Sequence, residues 1–152
     1  MTKQFVIVGA GPAGMRAAEQ LVAAGQRPIV IDEAQRFGGQ IYRQPPAEFK
    51  RARSDLYGFE AAKASAVLDR FDALRLQIDH RPNTLVWQVE PGVLQTLHAG
   101  RNTAVPFDGL ILATGATDRV LPFPGWTLPG VVTLGAAQVA LKFQACLIGP
   151  RV

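Results

Sequence analysis

The hydrophobic and polar positions of the chain fall into short runs with either strand or helix spacing. Phe5–Val8 is a continuous apolar run that ends at Gly9, as is typical of a strand buried on both faces. The apolar positions that follow recur at helical spacing and predict a helix that stops near Gly25. Ile29–Ile31 is a second apolar run. The opening therefore predicts a strand, a helix and a parallel strand joined by a right-handed crossover.

The middle of the chain predicts a helix followed by several strands. Residues 47–74 carry apolar positions at helical spacing, with polar positions between them. Alternation at Leu74, Leu76 and Ile78 predicts a third strand. Glycine turns then separate three short apolar runs, which predict an antiparallel meander at residues 85–89, 93–97 and 103–107.

The last third of the chain predicts one more buried strand and one more helix. The strand covers residues 110–113 and is followed directly by Thr114 and Gly115. Residues 121–130 contain three prolines and predict an extended connection, and residues 135–143 predict the helix. The order of elements predicts an α/β fold, with a parallel sheet, the meander on one face and helices on the other.

The composition is that of one folded domain. Of 152 residues, 48% are hydrophobic and 18% are charged, which excludes a disordered chain and suffices for a core. The apolar runs are too short for a membrane span or a signal peptide, so we expect a cytoplasmic protein with no membrane association. Cys146 is the only cysteine, which excludes an internal disulfide, a paired-cysteine redox centre and a thiolate metal cluster within one chain.

The net charge is +4, which raises the question of a nucleic-acid partner. The local basic cluster of Arg43, Lys50, Arg51 and Arg53 has no aromatic stacking residues interleaved along it. We therefore expect no nucleic-acid binding, and interpret the charge as a solvated basic face or as an attraction for an anionic ligand.

A glycine motif follows the first strand and opens the first helix. Gly9 permits a sharp turn, Gly11 lets the main chain approach a diphosphate, and Gly14 lets the helix pack closely on the strand. Pro12 and Ala13 lie in the first helical turn, whose free N–H groups and dipole favour an anion. The motif predicts a dinucleotide site in a Rossmann-like fold, against the alternative that the glycines serve only turn and packing.

An acidic residue stands where the second strand ends. Asp32 lies about 18 residues beyond Gly14, where a carboxylate can accept hydrogen bonds from ribose hydroxyls. A carboxylate there would repel a 2′-phosphate, which disfavours NADP. Glu33 is the alternative ribose ligand. Asp32 is favoured because it directly follows the strand.

Two further segments carry a family resemblance. Residues 38–44 read Gly-Gly-Gln-Ile-Tyr-Arg-Gln and residues 113–115 read Ala-Thr-Gly. With the glycine motif and the acid, this series resembles the two-dinucleotide-binding-domain flavoproteins of the pyridine nucleotide-disulfide oxidoreductase superfamily. Within it, residues 38–44 and 121–131 are similar to the alpha-type subunits of opine oxidase, hydrogen cyanide synthase and dye-linked proline dehydrogenase.

The resemblance implies FAD as the cofactor. It places Gly39 and Gln40 along the diphosphate and ribityl chain, Val86 near the adenine edge, and Thr114 and Gly115 beside the flavin. The residues that it implies for cofactor binding are Gly9, Gly11, Pro12, Ala13, Gly14, Asp32, Glu33, Gly39, Gln40, Val86, Thr114 and Gly115.

The resemblance also implies an activity and a partner. Residues 1–152 would be the FAD-binding portion of an oxidoreductase that acts on a C–H bond next to an amine nitrogen, in an amino acid or opine-like small molecule. A partner subunit is expected. The chain departs from the family in lacking the reactive cysteine pair, a second glycine-motif domain and the C-terminal return segment, so the domain is predicted to be incomplete.

No catalytic acid, catalytic base or metal site is predicted. The alternatives are a non-catalytic adenine-nucleotide-binding subunit, an inactive truncated remnant, and an NAD-only dehydrogenase domain. The Gly-Gly-Gln and Ala-Thr-Gly segments argue against the NAD-only alternative.

Overall fold

The computed structural model describes residues 3–149, and its centre is a parallel sheet. The four strands are β1 (Phe5–Val8), β2 (Ile29–Ile31), β3 (Asp79–Arg81) and β7 (Gly109–Leu112). Their order across the sheet is β3-β2-β1-β7, and every neighbouring pair is parallel. The chain adds strands on one side of β1 and then returns to its other side.

The strand alternation divides the core between the two faces of the sheet. Ile7 and Val30 point to the helical face and pack with Phe71, whereas Val6 and Ile29 point to the other face and pack with the meander. Successive side chains of a strand point to opposite faces, so a sheet covered on both sides needs unbroken apolar strands. This arrangement confirms the predicted layers.

The helical layer is shorter and more broken than the pattern predicts. The helices are α1 (Pro12–Ala23), α2 (Arg53–Tyr57), α3 (Ala61–Leu74) and α4 (Leu134–Gln138), with 3₁₀ turns at Gly58–Glu60 and Arg75–Gln77 and a π-helical turn at Val139–Phe143. The predicted helix of residues 47–74 begins at Arg53 and is interrupted at Gly58, whose φ of +53° lies in the left-handed region.

The prediction for the third strand is wrong in its position. The apolar alternation covers Leu74, Leu76 and Ile78, but a 3₁₀ turn continues α3 there and Leu76 is 92% exposed. Strand pairing starts one residue after Ile78, where Asp79 lies opposite Ile29. Polar residues can form this strand because β3 is an edge of the sheet and is only partly buried.

The meander is confirmed. Its strands are β4 (Thr84–Glu90), β5 (Val93–His98) and β6 (Arg101–Pro106), paired antiparallel in that order. Leu94 and Val105 are buried against the parallel sheet.

The segment after β7 lies outside both sheets. Residues 121–130 form successive turns rather than one extended connection, with hydrogen bonds from Trp126 N–H to Phe123 O and from Leu128 N–H to Gly125 O. Gly125 has a φ of +86°, which permits the reversal of direction. The predicted last helix is confirmed as α4 with its π-helical extension.

Candidate functional site

A cleft of about 720 Å³ opens where β1, β2 and β7 end. The direction of strand addition reverses between β1 and β7, and ligands of open α/β sheets bind at such a point, beyond the carboxyl ends of the strands. The volume lies in the range of small-molecule and cofactor sites. The residues that line it are Gly9, Gly11, Pro12, Ala13, Asp32, Glu33, Ala34, Arg36, Gly39, Gln40, Ile41, Arg43, Gln44, Ala113, Thr114, Gly115, Ala116 and Phe143.

Two glycines of the motif hold the floor of the cleft together. Gly9 has a φ of +105°, and a Cβ there would overlap the carbonyl oxygen of Ala113 on the neighbouring strand. A Cβ at Gly14 would overlap the carbonyl oxygen of Gly9 and come within 3.3 Å of Ile7 Cγ2. These positions require glycine for the fold itself, because β7, the turn and α1 approach one another too closely for a side chain.

Gly11 is different, because the fold leaves it room. It caps α1 with an ordinary extended backbone (φ −77°, ψ −178°), and a Cβ there would first meet Gly39 Cα at 3.6 Å. Pro12 opens the helix, so that its free N–H groups and dipole start at the cleft. The space beside Gly11 therefore faces a partial positive charge and suits an anion.

Asp32 lies at the carboxyl end of β2 with both carboxylate oxygens engaged. One oxygen accepts from the N–H of Ala10 at 2.5 Å, the other from the N–H of Ala34 at 2.7 Å. A carboxylate has about four lone-pair sites, so two remain for other donors. These bonds fix the carboxylate at the cleft wall, whereas Glu33 lines the same cleft as an exposed neighbour.

The Gly38-Gly39 turn is held against the glycine motif. The N–H of Gly38 donates to Ala10 O at 2.9 Å, and a Cβ at Gly39 would come within 2.9 Å of Gly11 Cα. Gln40, next along the chain, donates from its side-chain amide to Ala116 O beyond β7. The turn thus forms one wall of the cleft and is tied to the opposite wall.

The last wall follows β7. The N–H of Ala113 donates to Val8 O at 2.8 Å, which extends the β1–β7 pairing to the cleft. Thr114 and Gly115 come next. Gly115 has a φ of +73°, and a Cβ placed on it would meet no atom within 4 Å. Both residues are exposed toward the opening.

The structure brings the predicted residues together with two exceptions. Gly14 supports the cleft from below without lining it, and Val86 packs against the core between the two sheets. Arg36, Arg43 and Phe143 line the cleft without having been predicted. Arg43 belongs to the Gly-Gly-Gln segment and could have been found there, whereas Phe143 comes from the π-helical turn, far along the chain.

The family model for pyridine nucleotide-disulphide oxidoreductase matches residues 3–144. The chain belongs to this family. An opine oxidase subunit of Agrobacterium tumefaciens is 40% identical over 158 residues, covering 97% of this chain and 31% of the relative. Hydrogen cyanide synthase subunit HcnB of Pseudomonas aeruginosa is 41% identical over 147 residues, covering 93% of this chain and 31% of the relative. The chain thus spans about a third of the length of these relatives.

A solved structure supports the fold. The NAD-dependent persulfide reductase from A. fulgidus matches with a TM-score of 0.62 at 19% identity, over 90% of this chain and 26% of that one. Family membership confirms the predicted oxidoreductase resemblance and implies a flavin cofactor. Within residues 3–149, no helix has the length and apolar character needed to cross a bilayer.

Proposed function

We propose that this chain is the FAD-binding portion of a flavin-dependent oxidoreductase, as one dinucleotide-binding domain over residues 1–152. The observation that carries the proposal is the open space beside Gly11, at the start of α1 and in the same cleft as the Asp32 carboxylate. A diphosphate needs close main-chain approach and positive potential, and a ribose needs an acceptor for its hydroxyls. The cleft offers each of these.

The binding residues take separate parts of the cofactor in this proposal. Gly9, Gly11, Pro12, Ala13 and Gly14 form or support the turn that would hold the diphosphate. The free lone pairs of the Asp32 carboxylate would accept from the ribose hydroxyls, with Glu33 beside them. Main-chain groups near Val86 would meet the adenine edge.

The other half of the cofactor would run along the second wall. Gly39 and Gln40 would follow the diphosphate and ribityl chain, and Thr114 and Gly115 would lie beside the flavin. The side-chain amide of Gln40 already joins the two walls through Ala116 O, which would keep the flavin end of the cleft at a fixed width. Bound FAD supplies the capacity to accept a hydride from a substrate carbon.

The proposed substrate is an amino acid or opine-like small molecule, oxidised at the C–H bond next to its amine nitrogen. The support is the identity to a subunit of opine oxidase and to a subunit of hydrogen cyanide synthase. Both relatives are named as subunits, which supports a partner subunit for this chain as well. The remaining catalytic groups would come from outside these 152 residues.

The test is titration of the purified chain with FAD, followed by visible absorbance and flavin fluorescence, for the unchanged protein and for Gly11→Ala. The added methyl group enters open space at an ordinary backbone conformation, so the free energy of unfolding should change by less than about 0.5 kcal/mol. It would occupy the position of the diphosphate, and we expect FAD affinity to fall at least about tenfold.

Gly149→Ala is the matched control, because a Cβ there meets nothing within 4 Å and the residue lies outside the cleft lining. It should bind FAD like the unchanged chain. Equal FAD affinity of Gly11→Ala and the unchanged chain would refute the proposed placement. Binding of ADP or ATP without FAD would favour the non-catalytic nucleotide-binding subunit, and binding of NADH alone would favour an NAD-only domain.

A further inference from the structure

Arg43 has an unsatisfied donor at the cleft. Its Nε–H is buried and has no hydrogen-bond partner among the described residues. Most buried polar groups in proteins are paired, and a buried donor without an acceptor is costly. Arginine is always charged and carries donors only, so the missing partner of Arg43 must be an acceptor, preferably an anion.

The protein does not supply this anion. The ion pairs within residues 3–149 involve other cations, namely Arg16, Arg53, Lys63, Arg70, Arg75 and Arg81. Of the acids that line the cleft, Asp32 already accepts from two main-chain N–H groups. Arg43 therefore brings a full positive charge to the cleft that no carboxylate of the described chain neutralises.

The main chain at Arg43 is held in place from two sides. Its carbonyl oxygen accepts from the hydroxyl of Tyr57 at 2.8 Å, and the buried ring of Tyr42 packs edge-on against the Tyr57 ring. On the other side, the Gly38-Gly39 turn lies against Ala10 and Gly11. The position of Arg43 is thus fixed relative to the glycine motif, as a preorganised binding group requires.

We infer that Arg43 is a further binding residue of this cleft and that its guanidinium takes the diphosphate of the nucleotide. The inference rests on the proposed function and adds to it the source of the full positive charge. The start of α1 offers only a partial charge of about half an elementary unit, whereas a diphosphate diester carries two negative charges. The planar guanidinium can donate two parallel hydrogen bonds to phosphate oxygens, which gives both charge and orientation.

The experiment compares the FAD and ADP affinities of the unchanged chain, Arg43→Met, Arg43→Lys and Arg51→Met by isothermal titration calorimetry. FAD and ADP share the diphosphate, so both should weaken about 10-fold to 100-fold in Arg43→Met, the usual effect of losing a charged hydrogen bond. Arg43→Lys keeps the charge but loses the paired donors, and should lie between the two. Arg51→Met removes the same charge from the same loop outside the cleft lining, and should bind like the unchanged chain.

Thermal unfolding of each variant establishes that it folds, and Arg43→Lys alone carries the comparison if Arg43→Met does not fold. Unchanged FAD and ADP affinity in the Arg43 variants would overturn the inference, and so would equal losses in Arg43→Met and Arg51→Met, which would indicate a general charge effect. If the unchanged chain binds neither FAD nor ADP, the proposed function fails first and the role of Arg43 fails with it.

Discussion

Residues 5–113 and residues 114–149 differ sharply in what their apolar side chains do. The first region contains the hydrophobic clusters on both faces of the parallel sheet, with Val6, Ile7 and Val30 fully buried. In the second region none of the described residues is buried, although its sequence is rich in apolar residues. Phe123 is 55% exposed and Trp126 is 44% exposed.

The difference shows that apolar composition does not by itself bury a segment. Strands β1, β2 and β7 hydrogen-bond to one another and offer two continuous faces on which helices and meander can pack. Residues 114–149 contribute no strand to either sheet and form local turns instead. The free energy of folding should therefore reside in the first region, and substitutions in the two regions can test that division.

The largest expected effect is the loss of a core aromatic ring from the first region. Phe71 is 1% exposed, and its ring centroid lies 4.3 Å from that of Phe37. We expect Phe71→Ala to lower the free energy of unfolding by about 3–5 kcal/mol, measured by urea denaturation. The matched change in the second region, Phe123→Ala, should lower it by less than about 0.5 kcal/mol. Similar losses in the two variants would contradict the division.

A smaller effect is expected from adding one carbon at the helix start. A Cβ at Gly14 would overlap the main chain at Gly9, which cannot move without separating α1 from the sheet. Gly14→Ala should therefore cost about 3 kcal/mol in the free energy of unfolding. Gly149→Ala in the second region has open space around its Cβ and should be neutral. A Gly14→Ala chain as stable as the unchanged one would show that the tight approach of α1 to β1 is not required.

The smallest effect concerns acid pH. Burial between aromatic rings lowers the pKa of His80 below its usual value, so the folded chain holds this side chain neutral where the unfolded chain would protonate it. The unfolded state then binds more protons, and stability should rise with pH up to the usual histidine pKa near about 6.5 and fall as the solution is acidified below it.

Urea denaturation between about pH 5 and 7.5 measures this dependence, which should weaken in His80→Gln. His98 is exposed, so His98→Gln serves as the control and should keep the pH dependence. The second region contains no histidine, so the histidine-linked part of the response reports on the first region. A steeper acid loss in His80→Gln would show that the sign is wrong.

The opening βαβ unit and the meander could be predicted from the sequence because their signals are local. A turn glycine such as Gly9, a proline at the helix start and an apolar run each act within a few residues. The prediction of the third strand failed for the opposite reason, since β3 is defined by pairing with β2 and its residues Asp79–Arg81 are polar. An edge strand needs a partner more than it needs an apolar pattern.

Spacing within short segments was enough to establish the glycine turn, the acid that follows β2 and the family resemblance. Three features of the cleft needed the folded chain: Asp32 is fixed by the N–H of Ala10, Arg43 carries an unsatisfied donor, and Phe143 joins the wall. The cleft lies between segments that are distant along the chain. Its lining is therefore set by how the sheet, the loop and the last helix pack, which no local pattern records.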